Sequence, residues 1–437
     1  MKNQTHATNT HEATRRQFLR TSAAAVAAVG SLSVERAAHA AGGGVIKIGM
    51  IGAGGRCAGA AENAMNAGPD VRLMAIHDIF MDRVKGKLEV LKKKKPDQVQ
   101  VDDAHCFDGL EGYKGVIEAS DVVLIANAAK FHPFYAMAAI KAGKHVFVEK
   151  PHGIDPHGIK TLMAACELAK QKKLCVVSGL QSRYHAGYIE TMKRLHDGAI
   201  GDIVAIEENF LRQPYGVYRR QEGWTELQSQ FGNQYHFVWL SGDDVPQSLV
   251  HNMDRATWAL KETPPLKCHG LGGRASSFSP EHGNVFDHHS VIYHYANGVR
   301  AYAFCRTEVR CYNEVSSIIL GSKGRCDLTR CQIEGETKWR FEGKADPYDA
   351  EHRALFGAIR EGKTINNGDY MARSTMIGIM GQISCYTGAE VTWEQINKSD
   401  FFFAPKCEDC RMDMEPPVKI GPDGTYPVYV PGVTKLI

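Results

Sequence analysis

Beyond residue 40, this 437-residue chain has no apolar run long enough to span a bilayer. It also lacks a surplus of either charge, since 52 Lys and Arg stand against 49 Asp and Glu. Such totals are typical of a soluble globular enzyme and do not indicate nucleic-acid binding. The single basic run, Leu91–Pro96, is interpreted as the solvated end of a helix.

A second cysteine pair with metal-ligand spacing is also absent. Of 12 cysteines, Cys407 and Cys410 form one C-x-x-C in a Pro-rich tail, while Cys166 and Cys175 lie in apolar stretches typical of buried thiols. An exported chain could form disulfides, but folding in a reducing compartment before export weakens that case. We predict no structural metal.

The first 40 residues are typical of an export signal. The pair Arg15–Arg16 precedes Phe18, Leu19 and an alanine-rich run, and Ala38–Ala40 offers small residues at a cleavage site. The paired arginines favour the twin-arginine route, and the apolar run is too short for a comfortable membrane anchor. We expect a signal peptide at 1–40 and a periplasmic or otherwise exported mature chain of about 400 residues, enough for two domains.

Residues 41–178 predict a nucleotide-binding domain. The β-branched run Val45–Ile51 leads into a glycine turn that carries the first two glycines of G-x-G-x-x-G, with Cys57 at the third position. Glycine permits the tight turn and the close approach of a pyrophosphate, and the following helix N-terminus attracts its charge. The predicted cofactor contacts in this turn are Gly52, Gly54, Gly55 and Arg56.

A second predicted strand, "VRLMAIHD", ends in Asp78. A carboxylate at this place accepts hydrogen bonds from the adenosine ribose hydroxyls and repels a 2′-phosphate, so NAD is favoured over NADP. The alternative is that Asp78 caps the next helix.

Further alternation of strands and helices predicts a doubly wound parallel sheet. The runs Asp121–Ala129, His145–Pro151 and "LCVVSG" are predicted strands, with helices between them. Ligands of such sheets bind at the carboxyl edge of the strands. The polar residues expected at that edge are Asn127, His132, Glu149 and Lys150.

After Gly179 the pattern changes to several alternating strands joined by short turns, which predicts a mostly antiparallel sheet. The expected fold is therefore α/β: an N-terminal Rossmann domain followed by a C-terminal α+β domain with a large, open, mostly antiparallel sheet. The predicted bounds are 179–395 for this second, substrate-binding domain and 396–437 for an extended Pro/Gly-rich tail that wraps the surface or a neighbouring subunit.

The motifs "GMIGAGGR", "IHD" and "VFVEKP" resemble those of the NAD(P)-dependent Gfo/Idh/MocA oxidoreductases. The resemblance implies that Lys150 lies beside the nicotinamide and the substrate hydroxyl, with Gln181 near the nicotinamide. It also implies that the second-domain sheet covers the nicotinamide and that family members pair or tetramerise through its outer face. The export signal, together with "WLSGD" and "VHNMD", is similar to an exported subgroup close to the NAD-dependent glycoside hydrolases.

Candidate sugar contacts are concentrated between Arg212 and Leu260. Aromatic rings stack on sugar C–H faces, and Arg and His bind hydroxyl or acidic groups, although part of this stretch is ordinary core. The candidate substrate-binding residues are Arg183, Tyr184, Arg212, Tyr218, Arg219, Tyr235, His236, Trp239 and His251.

The segment "QSLVHNMD" resembles the family motif that places a histidine on a helix over the substrate. The usual aspartate four residues earlier is Gln247 here, so the acid that would raise the histidine pKa is missing. The catalytic base is therefore Lys150, His251 or both, and the alternative for His251 is a satisfied core histidine.

The expected function is an exported, sugar-active enzyme with tightly bound NAD, working in a redox-neutral cycle. That cycle is glycoside hydrolysis or sugar–sugar oxidoreduction, because an exported protein has no NAD pool. The alternatives are an ordinary NAD-dependent sugar or polyol dehydrogenase and a non-catalytic sugar-binding relative. The expected partners are a carbohydrate and further copies of the chain, without nucleic acid or a membrane span.

Overall fold

The computed structural model describes residues 44–437, which form two sheets and their covering helices. The predicted signal peptide lies outside these residues. Within them, no helix has the length and apolar character needed to cross a membrane.

The first sheet contains six short strands whose central members are apolar throughout. They are β1 (Ile46–Ile51), β2 (Val71–His77), β3 (Cys106–Phe107), β4 (Val122–Ile125), β5 (His145–Val148) and β6 (Val176–Ser178). All pairings are parallel, in the order β3-β2-β1-β4-β5-β6. Strands are added to one side of β1 first and then, from β4 onward, to its other side. Doubly wound sheets bind ligands at this switch point between β1 and β4. The predicted Rossmann domain is confirmed.

Helices cover both faces of this sheet, which is why β4 is buried along its whole length. They are α1 (Gly55–Asn66), α2 (Met81–Lys94), α3 (Tyr113–Ala119), α4 (His132–Lys141) and α5 (Pro156–Lys172). Gly52 has a φ of +108°, and a Cβ there would lie 2.8 Å from the Ala126 carbonyl oxygen. The buried Cys57 thiol fits 3.7 Å from the Ile51 and Leu124 carbonyl oxygens, so this small residue allows the close helix–sheet packing of a third glycine.

The second sheet contains nine strands. They are β7 (Ile203–Arg212), β8 (Lys267–Gly273), β9 (His288–His294), β10 (Arg300–Thr307), β11 (Glu314–Gly321), β12 (Gly324–Asp327), β13 (Gln332–Gly335), β14 (Trp339–Arg340) and β15 (Val391–Thr392). Their order is β14-β13-β12-β11-β7-β10-β9-β8-β15. Only β7 and β10 pair in parallel among these described strands, so the predicted mostly antiparallel sheet is confirmed.

The helices of the second half connect the two sheets. They are α6 (Ala186–His196), α7 (Glu226–Gly232), α8 (Val238–Ser241), α9 (Val250–Ala259), α10 (Pro347–Arg360), α11 (Gly368–Thr387) and α12 (Trp393–Lys398). A π-helical turn, Val245–Leu249, precedes α9. The long α11 packs on β8 and also on α5. Helix α10 returns to the first domain, where it packs on α1 and pairs Arg360 with Asp70 at 2.7 Å.

The C-terminal tail packs on its own chain. Phe403, Cys410 and Tyr426 are buried in the apolar core that also contains residues of α4 and α8. The Gln230 side-chain amide donates to the Val418 carbonyl oxygen at 2.6 Å. The tail therefore helps to hold α7 in place.

Candidate active site

Two cavities lie at the carboxyl edge of the parallel sheet, a third adjoins them in the second domain, and Tyr235 lines all three. The cofactor cleft is a cavity of about 420 Å³ along the glycine turn, with Asp78 and Asn127 in its wall. The reaction cavity is lined by His132, Glu149, Lys150 and Gln247, among others.

The second cavity continues from the reaction cavity, with which it shares Tyr235 and Gln247. Its wall includes Arg212, Asp244 and His236. The two cavities therefore adjoin at Tyr235 and Gln247.

The glycine turn fits a dinucleotide. A Cβ added at Gly54 or Gly55 would meet no atom within 4 Å, so this backbone faces open space in the cleft. Among the described residues, no side chain caps the N-terminus of α1. Its free N–H groups and positive dipole end are therefore available for a pyrophosphate.

Asp78 lies at the end of β2 and fastens the glycine turn. Its carboxylate accepts hydrogen bonds from the Ala53 N–H at 2.8 Å and the Phe80 N–H at 3.3 Å, while its side chain lines the cleft. The alternative assignment as a helix cap is wrong, because Phe80 and not Asp78 occupies the N-cap position of α2.

Arg56 lies between the cofactor cleft and the reaction cavity. Its Nε is 2.9 Å from Oε1 of the buried Glu149, and its guanidinium lies 4.6 Å from the centre of the Tyr348 ring. Burial raises the Glu149 pKa, and the charges of Arg56 and Lys150 oppose that rise. Pairing with Glu149 therefore holds the Arg56 guanidinium beside the place where the two cavities join.

His132 lies at the start of α4 and is buried between two carbonyl groups. Its ring nitrogens lie 2.7 Å from the Pro151 carbonyl oxygen and 3.1 Å from that of Asn127. Burial lowers its pKa to about 4, so the ring is neutral at pH 7 and donates to only one of the two. The Asn127 side-chain oxygen is buried without a hydrogen-bond partner in the part of the chain described.

Lys150 lines the reaction cavity and is held across the domain boundary. Its Nζ donates to the Gln247 carbonyl oxygen at 2.8 Å, and the Gln247 side-chain oxygen is buried with no partner among residues 44–437. The lysine predicted from the "EKP" motif therefore lies in the wall of the cavity that adjoins the cofactor cleft.

His251 is not part of the wall of the reaction cavity. It lies on α9, one helical turn beyond Gln247, with its ring 6.4 Å from that of Phe210. Burial lowers its pKa well below the usual value, and the charges of Lys150 and Arg255 lower it further. Its Nδ1 has no partner within the described chain, so it is not a satisfied core histidine either.

Two of the predicted substrate contacts, Arg212 and His236, line the second cavity. Arg212 is paired with Asp244 at 2.6 Å and lies on the Tyr215 ring. Tyr218 instead lines the cofactor cleft. Arg219 is exposed and lines none of the three cavities.

Arg183 lies away from all three cavities. It forms ion pairs with Asp254 at 2.8 Å and Glu262 at 2.5 Å, between the rings of Trp258 and Tyr370. These partners occupy the guanidinium, so the prediction that Arg183 contacts substrate is not supported.

Two aromatic candidates, Tyr184 and Trp239, have structural roles, and Gln181 lies next to Tyr348. The Tyr184 hydroxyl donates to the Asn367 side chain at 3.1 Å, and the Trp239 indole donates to Gln230 inside the core. Neither residue lines the three cavities. The Gln181 amide donates to the Tyr348 hydroxyl at 3.2 Å, next to the aromatic partner of Arg56.

Sequence reasoning missed Asp244, seven residues before His251, although proximity to that motif was a usable signal. It also missed Tyr348 on α10, for which the sequence around the motif holds no local signal.

All 12 cysteines have free thiols in the structure. Within residues 44–437, one group, Asp287, His288 and Glu308, has ligand atoms within 4.8 Å of one another, and the absence of a structural metal stays a prediction.

Comparison with known proteins locates the similarity mainly in the first domain. Residues 46–179 match the family model "Oxidoreductase family, NAD-binding Rossmann fold", Gfo/Idh/MocA. An inositol 2-dehydrogenase of Gluconacetobacter diazotrophicus is 26% identical over 215 residues, which is 49% of this chain and 54% of that protein. Glycosyl hydrolase family 109 protein 1 of Bacteroides fragilis is 28% identical over 170 residues, 38% of this chain and 35% of that protein. The chain thus spans about half or less of the length of these relatives.

The fold of both domains has solved counterparts. The aldose-aldose oxidoreductase from Caulobacter crescentus, complexed with glycerol, superposes with a TM-score of 0.62 at 17% identity, covering 79% of this chain and all but 1% of that one. At this identity the likeness establishes the fold alone. With the glycine turn, the match identifies residues 46–179 as an NAD-binding Rossmann domain similar to that of the Gfo/Idh/MocA oxidoreductases.

Proposed function

We propose that the protein is an exported enzyme that oxidises a sugar hydroxyl with retained NAD and restores the cofactor within the same cycle. The observation that carries this proposal is the position of Lys150. Its side chain lines the reaction cavity, which adjoins the cofactor cleft through the shared residues Arg56, Asn127 and Tyr235. A base for this chemistry has to reach both the cofactor and the hydroxyl.

NAD, when bound, supplies the hydride acceptor. Lys150 takes the proton of the sugar hydroxyl at its Nζ and later returns it. The Gln247 carbonyl oxygen fixes the direction of that Nζ. His251 lies outside the cavity wall among cations that disfavour its protonation, so we assign the proton transfer to Lys150.

The redox-neutral form of the reaction hydrolyses a glycoside. Oxidation of the C3 hydroxyl to a ketone acidifies the C2 proton, loss of that proton expels the anomeric group, and water adds to the resulting double bond. Reduction of the ketone completes hydrolysis with no net oxidant. The match to a glycosyl hydrolase family 109 protein supports this form. Sugar–sugar oxidoreduction would close the cycle with a second sugar instead.

Export supports a closed cycle, because a compartment without a dinucleotide pool cannot supply fresh NAD. The twin-arginine assignment is tested by fusing residues 1–40 to a reporter that is active only after export. Replacing Arg15 and Arg16 together by lysine should abolish export of the fusion. Reporter activity that survives this change would remove the reason to prefer a closed cycle.

The cycle is tested on the purified full chain without added cofactor. We expect NAD to be found in the protein by absorbance and mass, aryl glycosides to be cleaved, and deuterium from D₂O to enter C2 of the released sugar. Purified protein that contains no NAD and is active only after NAD is added would refute the proposal that the cofactor stays bound. Cleavage without deuterium uptake at C2 would refute the elimination step.

Ordinary dehydrogenation is the second candidate, favoured by the match to an inositol 2-dehydrogenase. It predicts a net, stoichiometric increase in absorbance at about 340 nm when a sugar or polyol and NAD are supplied together. A redox-neutral enzyme gives at most one reduced cofactor per site under the same conditions.

A further inference from the structure

The second cavity is rich in carboxylates. Asp243, Asp244 and Asp287 line it, and Arg212 is the one Lys or Arg side chain in its described wall. Carboxylates therefore outnumber Lys and Arg side chains among the residues that line this cavity.

Two of these carboxylates are held in the ionised form. Burial opposes ionisation of Asp244, but Arg212 and hydrogen bonds from Ser248 and Cys305 outweigh it and lower its pKa. Burial likewise opposes ionisation of Asp287, and hydrogen bonds from backbone N–H groups at 275–277 lower its pKa.

Arg212 is not available to an anionic ligand. Its Nη2 donates to Asp244 at 2.6 Å and to Ser248 at 3.1 Å, its Nε also reaches Ser248, and its Nη1 donates to the Gln213 carbonyl oxygen at 2.8 Å. The guanidinium plane lies 3.9 Å from the centre of the Tyr215 ring. An incoming carboxylate would have to displace Asp244 from this arrangement.

The rest of the wall that the structure describes contains no acidic or basic side chain other than histidine, and several of its residues are aromatic. Tyr215 and Tyr235 stack with ring centres 3.9 Å apart, and burial lowers the pKa of His236 to about 4, so that its imidazole is neutral at pH 7. Tyrosine hydroxyls and a neutral imidazole can form hydrogen bonds with the hydroxyls of a sugar.

We propose that the second cavity accepts sugars without an anionic group, either neutral or bearing an amino group, and that Asp244 sets this selection by neutralising Arg212. The inference rests on the proposed sugar substrate. It adds a charge requirement that the reaction itself does not impose, since the same chemistry at C3 is open to uronic acids.

The first experiment measures binding, not turnover, on the NAD-loaded full chain. Calorimetry is run with methyl glycosides of glucose, galactose, mannose and N-acetylglucosamine, and with the three corresponding hexuronic acids and glucosamine. We expect at least one neutral or amino member to bind, and each uronic acid to bind at least ten times more weakly than its neutral counterpart. A uronic acid that binds as tightly as its counterpart overturns the selection, and a panel in which no member binds overturns the sugar assignment beneath it.

The second experiment compares Asp244→Asn with Asp400→Asn. Both raise the net charge by one, but Asp400 is exposed and pairs with Lys160 at 2.6 Å, away from the cavities. We expect Asp244→Asn to strengthen uronic-acid binding at least tenfold relative to the neutral sugar, because Arg212 becomes free to pair with the ligand. Asp400→Asn should leave that ratio unchanged. An unchanged ratio in a folded Asp244→Asn protein overturns the role of Asp244.

Discussion

Glu208 connects the second sheet to the helix that carries His251. It is fully buried on β7, where its carboxyl accepts hydrogen bonds from Asn252 of α9 at 2.7 Å and from Ser317 of β11 at 2.7 Å. Burial raises its pKa from 4.5 to about 7, against the opposing charge of Arg255. We predict that Glu208→Gln changes how the stability of the protein depends on pH.

The magnitude follows from the two pKa values. Between them the folded state keeps a proton that the unfolded state releases, so folding is favoured most below pH 4.5 and this contribution is lost as pH rises through about 7. At about 1.36 kcal/mol per pKa unit, the parent loses about 2 kcal/mol from this group between about pH 5 and 7. Glutamine does not titrate, so the variant does not lose this stability as pH rises.

The assay is thermal melting of parent and variant at several pH values between 5 and 8. Buried histidines such as His132 and His236, with pKa lowered to about 4, act in the opposite direction in both proteins, so the quantity to compare is the difference in Tm. We expect Tm of Glu208→Gln minus Tm of the parent to rise by ~4–8 °C over this range. The exposed neighbour Glu207→Gln is the control and should give a flat difference. A flat difference for Glu208→Gln would refute the raised pKa.

Three further predictions concern the site. Lys150→Met should lower kcat by about 100-fold or more and leave the sugar affinity measured by calorimetry within a few-fold, whereas His251→Asn should lower kcat by less than about tenfold. A larger loss of kcat in His251→Asn than in Lys150→Met would identify His251 as the base. Full activity of Lys150→Met in a protein that still binds sugar would show that Lys150 has no catalytic role. Asp78→Ser should shift the ratio of NADP to NAD affinity upward by about tenfold, because the carboxylate is removed while Arg83 remains in the cleft; an unchanged ratio would contradict the ribose assignment. Gln247→Asp should move the rising limb of the pH–rate profile to higher pH, since a carboxylate beside the Lys150 ammonium favours the charged form; a limb that stays in place would show that this lysine does not set it.

The nucleotide-binding half of the site was predictable from sequence because its determinants are local. A buried strand, a tight glycine turn and a helix N-terminus follow each other within 46–66, and each places the next without help from distant residues. Parallel strands also share one carboxyl edge, so the positions of Asn127 and Lys150 follow from the strand ends alone.

The sugar half was only partly predictable. Arg212 and Arg183 are both arginines near candidate motifs, and the sequence does not distinguish them. Asp244 pairs with Arg212 beside the second cavity, whereas Asp254 and Glu262 hold Arg183 in a buried cluster away from it. The difference lies in partners that are 32 to 79 residues distant along the chain.

By itself, the sequence determined the order of the two domains, the glycine turn, the acid after β2 and the lysine after β5. These depend on backbone periodicity and on short-range geometry. Only the tertiary structure decided which charges neutralise each other, that α10 brings Tyr348 to Arg56, and that Gln247 rather than His251 faces the reaction cavity. These outcomes depend on which side chains packing brings within a few ångströms, and such contacts join residues that no local pattern relates.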